Sequence, residues 1–330
     1  MDPGKKIFFL LKLILSLCLI AWIISKVNLG EITNIIASAK IHFLLIGILW
    51  LLLDRVLMSY RWNILLMAKN IRIPFPQIVK IYFVGTFSGN FLPSSIAPDA
   101  VRAYFASKYD SKTSDILSSV IVDRILGLFS LGVLAIFSLL FVYRERGEIN
   151  LKSLSVILGI FFLIALLIFS ERVFKIMPAS KLRQYMTNAE GGFIWKNIVK
   201  IDNSCNEYKN YNRVIQRALF LSFVIHVLSI LAVYVLSLSI NLEVSLIHLF
   251  LFVPLINILI MLPISIGGIG VQEGAFIYFF SKIGISSHGA LTVALLFRAL
   301  TVVGSLPGGV FYVLEGTSKS CFPFRAGNKE

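Results

Sequence analysis

Leu92-Pro93-Ser94-Ser95-Ile96-Ala97-Pro98-Asp99-Ala100-Val101 and Leu262-Pro263-Ile264-Ser265-Ile266-Gly267-Gly268-Ile269-Gly270-Val271 read as one device used twice. Five of the ten positions are identical, and Ala100 answers Gly270 as a small residue. Each stretch interrupts a hydrophobic segment with proline, glycine or charge. Each also precedes a long apolar segment carrying an arginine, Arg124 or Arg298. Broken segments at matching places in two halves of a membrane chain point to a binding site between the halves.

The rest of the sequence supplies the membrane. Hydrophobic residues make up 57% and charged residues 15%, against about a quarter charged in soluble proteins. Apolar runs near the ~20 residues needed to cross a bilayer lie at 7–25, 43–67, 116–143, 154–170, 218–240 and 290–314. Two interrupted segments, 78–91 with 101–107 and 249–262 with 271–280, hold the repeated motif. Irregular backbone at membrane depth persists only where protein or a cavity surrounds it, because lipid cannot satisfy free amides and carbonyls. The predicted fold is therefore an all-α integral membrane protein with six full spans and two re-entrant helical hairpins, eight hydrophobic segments in all. Residues 1–150 form a first membrane repeat with a hairpin at 76–108. Residues 151–315 form a second, with a cytoplasmic connector at 171–216 and a hairpin at 248–284, and 316–330 are a polar tail. Three spans and one hairpin per half make the second repeat inverted relative to the first.

The net charge of +14 follows this topology. With both termini in the cytoplasm, inner segments hold Lys69, Arg72, Lys80, Lys108, Lys112 and the basic residues of the connector, while outer loops keep few. That is the positive-inside bias of a multi-pass protein of the inner cell membrane. It implies affinity for anionic lipid headgroups, and no stacking motif favours nucleic acid. The connector reads as amphipathic, lying at headgroup level. The three cysteines, Cys18, Cys205 and Cys321, suggest neither a disulfide framework nor a zinc site. A retained first span is expected in place of a cleaved signal peptide.

Ionisable residues inside spans cost at least ~2.5 kcal/mol each on insertion scales, so each is a functional candidate. Asp54 and Arg61, seven residues apart, share a helical face, and Arg55 points elsewhere. Asp123 and Arg124 are adjacent and cannot face the same way, so one is expected to pair across the bundle while the other lines a cavity. Half-helices starting at a break point free amides and a positive dipole end inward, which suits an anion. With Arg102, Arg124 and Arg298 nearby, the expected guest is a phosphate, whose oxygens match the planar guanidinium fork. Asn90 and Ser95 join them as candidate substrate contacts. Asp99, Asp123 and Glu273 have two possible tasks: fixing the arginines in the empty site, or carrying a proton or cation. Pro93, Pro263, Gly267, Gly268 and Gly270 are the candidate break residues. A competing reading makes all these charges structural ion pairs.

His42, His226, His248 and His288 are scattered, without a metal-binding H-E-x-x-H pair. There is no G-x-S-x-G elbow and no Walker-type loop, so no metal and no cofactor is expected, and the chain is not expected to be an enzyme.

Several features together resemble the flippase-like membrane region of lysylphosphatidylglycerol synthases, which also occurs as stand-alone proteins. They are Arg61-Trp62, Asn90-Phe91-Leu92-Pro93 leading to Asp99-x-x-Arg102, Asp123-Arg124 with Gly127, Pro263-x-Ser265-x-Gly267-Gly268-x-Gly270-x-x-Glu273, and Arg298 with Gly308-Gly309. One departure is Ala97-Pro98 where the family usually has Gly-Gly before the aspartate. The resemblance implies lipid handling without the synthase's own chemistry. It makes a translocase (flippase) for a phospholipid or lipid-linked glycan with an anionic headgroup the leading expectation. The alternative is a non-enzymatic accessory subunit that holds a glycosyltransferase or lipid synthase at the membrane. A lipid-modifying transferase ranks last, because no nucleophile-base pair is evident.

Overall fold

In the computed structural model, the described residues are 29–90, 92, 96–146, 200–201, 203–261 and 265–317, and every regular element among them is helical. Helices α1 Leu29–Ala37, α2 Ile41–Ala68, α3 Phe75–Gly89, α4 Ala97–Ala106 and α5 Thr113–Arg146 come first. They are followed by α6 Asn212–Ser239, α7 Leu246–Met261, α8 Val271–Ser281 and α9 Ser287–Thr317. The expected spans at 7–25 and 154–170, most of the connector and the tail beyond 317 lie outside the described residues.

Helices α2, α5, α6 and α9 are long and apolar enough to cross a membrane, which makes the chain a multi-pass membrane protein. The 15 residues of α3 and 10 of α4 reach about 22 and 15 Å at 1.5 Å per residue, short of a ~30 Å hydrocarbon core. The 16 residues of α7 and 11 of α8 fall short in the same way. Local chemistry sets these ends. Pro76 and Pro98 stand in the first turns of α3 and α4, where a missing amide costs nothing. Helices α2 and α6 both stop at an asparagine in the left-handed region, Asn70 (φ 56°) and Asn241 (φ 55°). Each stop is sealed by a backbone bond back across the last turn, Ile71 N to Leu66 O (3.1 Å) and Leu242 N to Ser237 O (2.9 Å), the Schellman arrangement.

The short helices fold back in pairs. At the open end of the α3–α4 pair the Tyr109 hydroxyl donates to Gln77 Oε1 (3.4 Å). Near the other end, a Cβ on Gly85 would lie 2.9 Å from Pro98 O, and one on Gly89 2.5 Å from Pro98 Cγ. The two glycines make room for Ala97-Pro98, which begins α4 as ordinary helix. In the α7–α8 pair, Phe252 stacks on Phe279 with ring centroids 5.4 Å apart.

Packing follows one pattern in both halves. In the first, α2 packs on α3, α3 on α4, α4 on α5 and α2 on α5; in the second, α6 packs on α7, α7 on α8, α8 on α9 and α6 on α9. Contacts between the halves also correspond, α3 with α9 as α7 with α5, and α2 with α9 as α6 with α5. At the centre α2 lies against α6, and the two run antiparallel. Lys40 N donates to Ser239 O (2.9 Å) at one end, Arg61 Nη1 to Ser222 Oγ (2.8 Å) further along, and the Tyr208 hydroxyl to Leu65 O (2.9 Å) at the other. Helices α3 and α9 approach closely: a Cβ on Gly308 would fall 2.1 Å from Phe83 O, the use of small residues expected where membrane helices touch.

Candidate functional site

Asp99 and Glu273 occupy the same place in their short helices, the third residue of α4 and of α8, where a carboxylate suits the positive helix end. Each pairs with the arginine 25 residues further along the chain: Arg124 Nε lies 2.9 Å from Asp99 Oδ2, and Arg298 Nε 2.5 Å from Glu273 Oε1. Both arginines lie 11 residues into their long helices, α5 and α9, about 16 Å along them. The repeated motif matches Asp99 with Ile269, four residues short of Glu273. The helices begin four motif positions apart: seven residues, 90–96, separate α3 from α4 and nine, 262–270, separate α7 from α8, and α3 ends two residues further ahead of the motif than α7 does.

Around the first break the charges form one network. Asp123 on α5 accepts from Arg61 Nε on α2 (2.7 Å) and from Arg102 Nη1 on α4 (3.3 Å). Arg102 also donates to Asp99 Oδ1 (2.5 Å) and lies over the rings of Trp62 and Tyr82, 5.0 and 4.5 Å from their centroids, a favourable place for a desolvated cation. Trp62 is fixed by its Nε1 donating to Ser119 Oγ (3.0 Å), and His226 Nε2 donates to Gly127 O (3.0 Å). Gly127 lies beside Arg61, whose Nη1 would be in ordinary van der Waals contact, 3.7 Å, with a Cβ there. Exposure divides the members. The side chains of Arg102 and Asp123 are 4% and 2% exposed, while Arg124 is 29% exposed.

The second break is built differently. Arg298, 25% exposed, donates Nη1 to Gly267 O (3.2 Å) and Nη2 to Gly268 O (3.1 Å), and Glu273 Oε2 accepts the Gly270 amide (2.8 Å). The pair thus ties down a turn whose glycines sit at φ 59°, 71° and 81°, a conformation that residues with a Cβ adopt only at a cost. Ser265 Oγ is buried beside this turn and makes no hydrogen bond among the described residues.

Asn90 sits at the end of α3 and donates from Nδ2 to Ser305 Oγ on α9 (2.7 Å), linking the first break to the last helix. Asp54, sequence-paired with Arg61, has Arg55 Nη1 at 3.8 Å instead, since Arg61 turns to Asp123. Ser95, Pro93 and Pro263 lie outside the described residues. Among those described, no cluster of three or more His, Cys, Asp or Glu could hold a metal ion.

A separate polar cluster holds the end of the connector. Lys69 Nζ is 2.6 Å from Glu207 Oε2 and 3.9 Å from Asp115 Oδ1, and lies over the Tyr208 ring. Ser204 bonds to both Asp115 and Ser118. Burial pushes the Tyr208 hydroxyl well above the ordinary tyrosine range, so its bond to Leu65 O persists at alkaline pH. Trp62 entered only as part of the Arg61-Trp62 resemblance, and Ser119, Tyr82, Ser222 and His226 around the network were not foreseen; a buried polar residue among apolar ones, such as Ser222 or His226, was the available signal.

Fold and site define a multi-pass helical membrane protein with arginine–carboxylate pairs at two breaks. The chain belongs to the lysylphosphatidylglycerol synthase TM region family, whose pattern matches residues 9–308. It is 24% identical to a UPF0104 membrane protein of Pyrococcus horikoshii over 326 residues, covering 93% of this chain and 96% of the relative. It is 26% identical to a UPF0104 membrane protein of Methanocaldococcus jannaschii over 311 residues, 88% and 90% of the two chains. A UPF0104 membrane protein of Methanothermobacter thermautotrophicus is 22% identical over 307 residues, 88% and 90% of the two. No solved structure matches.

Proposed function

We propose that the protein is a lipid translocase that moves a phospholipid or lipid-linked glycan with an anionic headgroup between leaflets of the cell membrane, with both termini cytoplasmic. The observation that carries this reading is the Asp99–Arg124 pair, a partly exposed guanidinium at the break of a helix pair too short to cross a membrane. A carboxylate holds Arg124 in the empty site, and a headgroup phosphate competes for the same donors; guanidinium–phosphate contacts are strong and can be bidentate. In this reading Arg124 and Arg298 meet the phosphate, and the enclosed Arg102 positions Asp99 and Asp123.

An inverted repeat supports alternating exposure. The corresponding helix pairs, the two left-handed asparagine stops and the matched acid–arginine pairs are what two related halves would give. The antiparallel α2–α6 contact is what an axis in the membrane plane would give, with one hairpin opening toward each side, an arrangement typical of alternating-access transporters. The accessory reading draws less support, because the described end of the connector, 203–211, is turned onto the bundle at Lys69 and Leu65.

The test is purified protein in sealed vesicles carrying a fluorescent anionic phospholipid or a polyprenyl-phosphate analogue in one leaflet. Faster loss of the probe from that leaflet than in protein-free vesicles supports translocation. Background rates for every anionic lipid, with well-folded protein, contradict it.

A further inference from the structure

Asp54 is the 14th of the 28 residues of α2, midway along a helix long enough to cross the membrane. Its side chain is 8% exposed. Asp123 and Glu273 are as deeply buried, and each accepts two hydrogen bonds. Asp54 Oδ1 accepts none among the described residues. Asp54 Oδ2 has Arg55 Nη1 at 3.8 Å, well beyond the roughly 2.7–2.9 Å of a charge-assisted bond. That nitrogen donates to Met58 Sδ (3.4 Å) instead. A carboxylate withdrawn from water without donors is costly, and taking up a proton removes the cost. Carboxylates inside membrane helices serve as proton carriers in pumps and transporters.

The surroundings leave Asp54 to itself. Arg61, seven residues on and about 10 Å further along the same face, bonds to Asp123 and Ser222. Helices α3, α5, α6 and α9 pack on α2, and their ionisable groups are engaged elsewhere. Tyr82 of α3 lies under Arg102, Asp123 of α5 holds Arg61 and Arg102, and His226 of α6 bonds to Gly127 O. Lys80 of α3 lies over the Phe311 ring, and Arg124 of α5 and Arg298 of α9 are paired at the breaks. Toward α2, α9 turns Leu300 and Gly304. A metal cation would need several oxygen ligands, and a lone carboxyl group suits a single proton. We propose that Asp54 is a proton-binding site that couples lipid movement to a proton gradient. One proton enters from water on one side, converts the carboxylate to the acid, and leaves to water on the other side. With Asp54 neutral, Arg61 is left to Asp123, as in the structure. With Asp54 charged, it competes for Arg61 along their shared face and loosens the link through Asp123 to Arg102 and the first break. The inference rests on the lipid-translocase reading and adds its energy source.

The experiment follows fluorescent phosphatidylglycerol in sealed vesicles whose membrane potential is clamped with potassium and valinomycin. With one proton moved per lipid, a gradient of one pH unit should let the wild type drive the probe to about a tenfold ratio between leaflets. Reversing the gradient should reverse the ratio. Asp54→Asn should move the probe only until the leaflets are equal, whatever the gradient. An even distribution with wild type that does move the probe, or the wild-type ratio in Asp54→Asn or in protein-free vesicles, overturns the coupling and leaves translocation standing. A folded Asp54→Asn that moves no lipid at all also overturns it, because the site would then be needed for more than coupling. If Asp54→Asn does not fold, infrared spectra of wild type and Asp54→Glu decide. The protonated-carboxyl band of the wild type should shift when aspartate becomes glutamate, and a band that is absent or unmoved overturns the proposal. No movement by folded wild type under any gradient removes the translocase reading beneath it.

Discussion

Asp123 holds two arginines from two other helices, and its side chain is only 2% exposed. Breaking a buried pair by deleting one partner strands the other charge, at about 3–5 kcal/mol. Asp123→Ala should therefore lower stability by that amount, seen as a fall in the unfolding midpoint in detergent. Arg124→Gln removes a partly exposed pair and leaves Asp99 bonded to Arg102, so it should cost less than Asp123→Ala and leave the fold intact for functional assays. The sequence made Asp123, Arg61 and Arg102 candidates because charge within a span is expensive. It could not give the partner of Arg61, which lies 62 residues away, whereas Asp54 lies on the same helix at a spacing that helical geometry allows. Helical periodicity reports faces of one helix and says nothing of which neighbour meets each face.

At the scale of elements, the contact between α3 and α9 is made by backbone. A methyl group on Gly308 would collide with the Phe83 carbonyl. Gly308→Ala should cost about 3 kcal/mol, at the upper end of ordinary overpacking, and shift the unfolding midpoint accordingly. Gly274 lies within α8 with nothing inside 4 Å of an added Cβ. Gly274→Ala should be neutral or stabilise by up to about 1 kcal/mol, since alanine favours helix. The long helices were legible in the sequence to within about six residues at each end, 43–67 appearing as Ile41–Ala68 and 218–240 as Asn212–Ser239. Both interruptions were legible as well, through proline and glycine. What was lost was the register across the breaks. Identity at Leu, Pro, Ser, Ile and Val follows the approach to each turn, while the turns differ by two residues and the helices beyond them are matched by Asp99 and Glu273. The equivalent asparagines, Asn70 and Asn241, were also passed over, although asparagine after an apolar helix is a recognised stop.

Across the whole molecule, the proposed inversion makes a topological prediction. Lys112 precedes α5 and Lys282 follows α8, and both are exposed. In a cysteine-free background, Lys112→Cys and Lys282→Cys should react with a membrane-impermeant thiol reagent from opposite sides of oriented vesicles. Labelling of both from one side would remove the inversion. The most direct measurement is the rate at which vesicles containing wild type or Arg124→Gln move a fluorescent anionic phospholipid between leaflets. The account predicts movement well above protein-free vesicles for wild type and none for a folded Arg124→Gln. Equal movement by both proteins, or none by wild type, would contradict it.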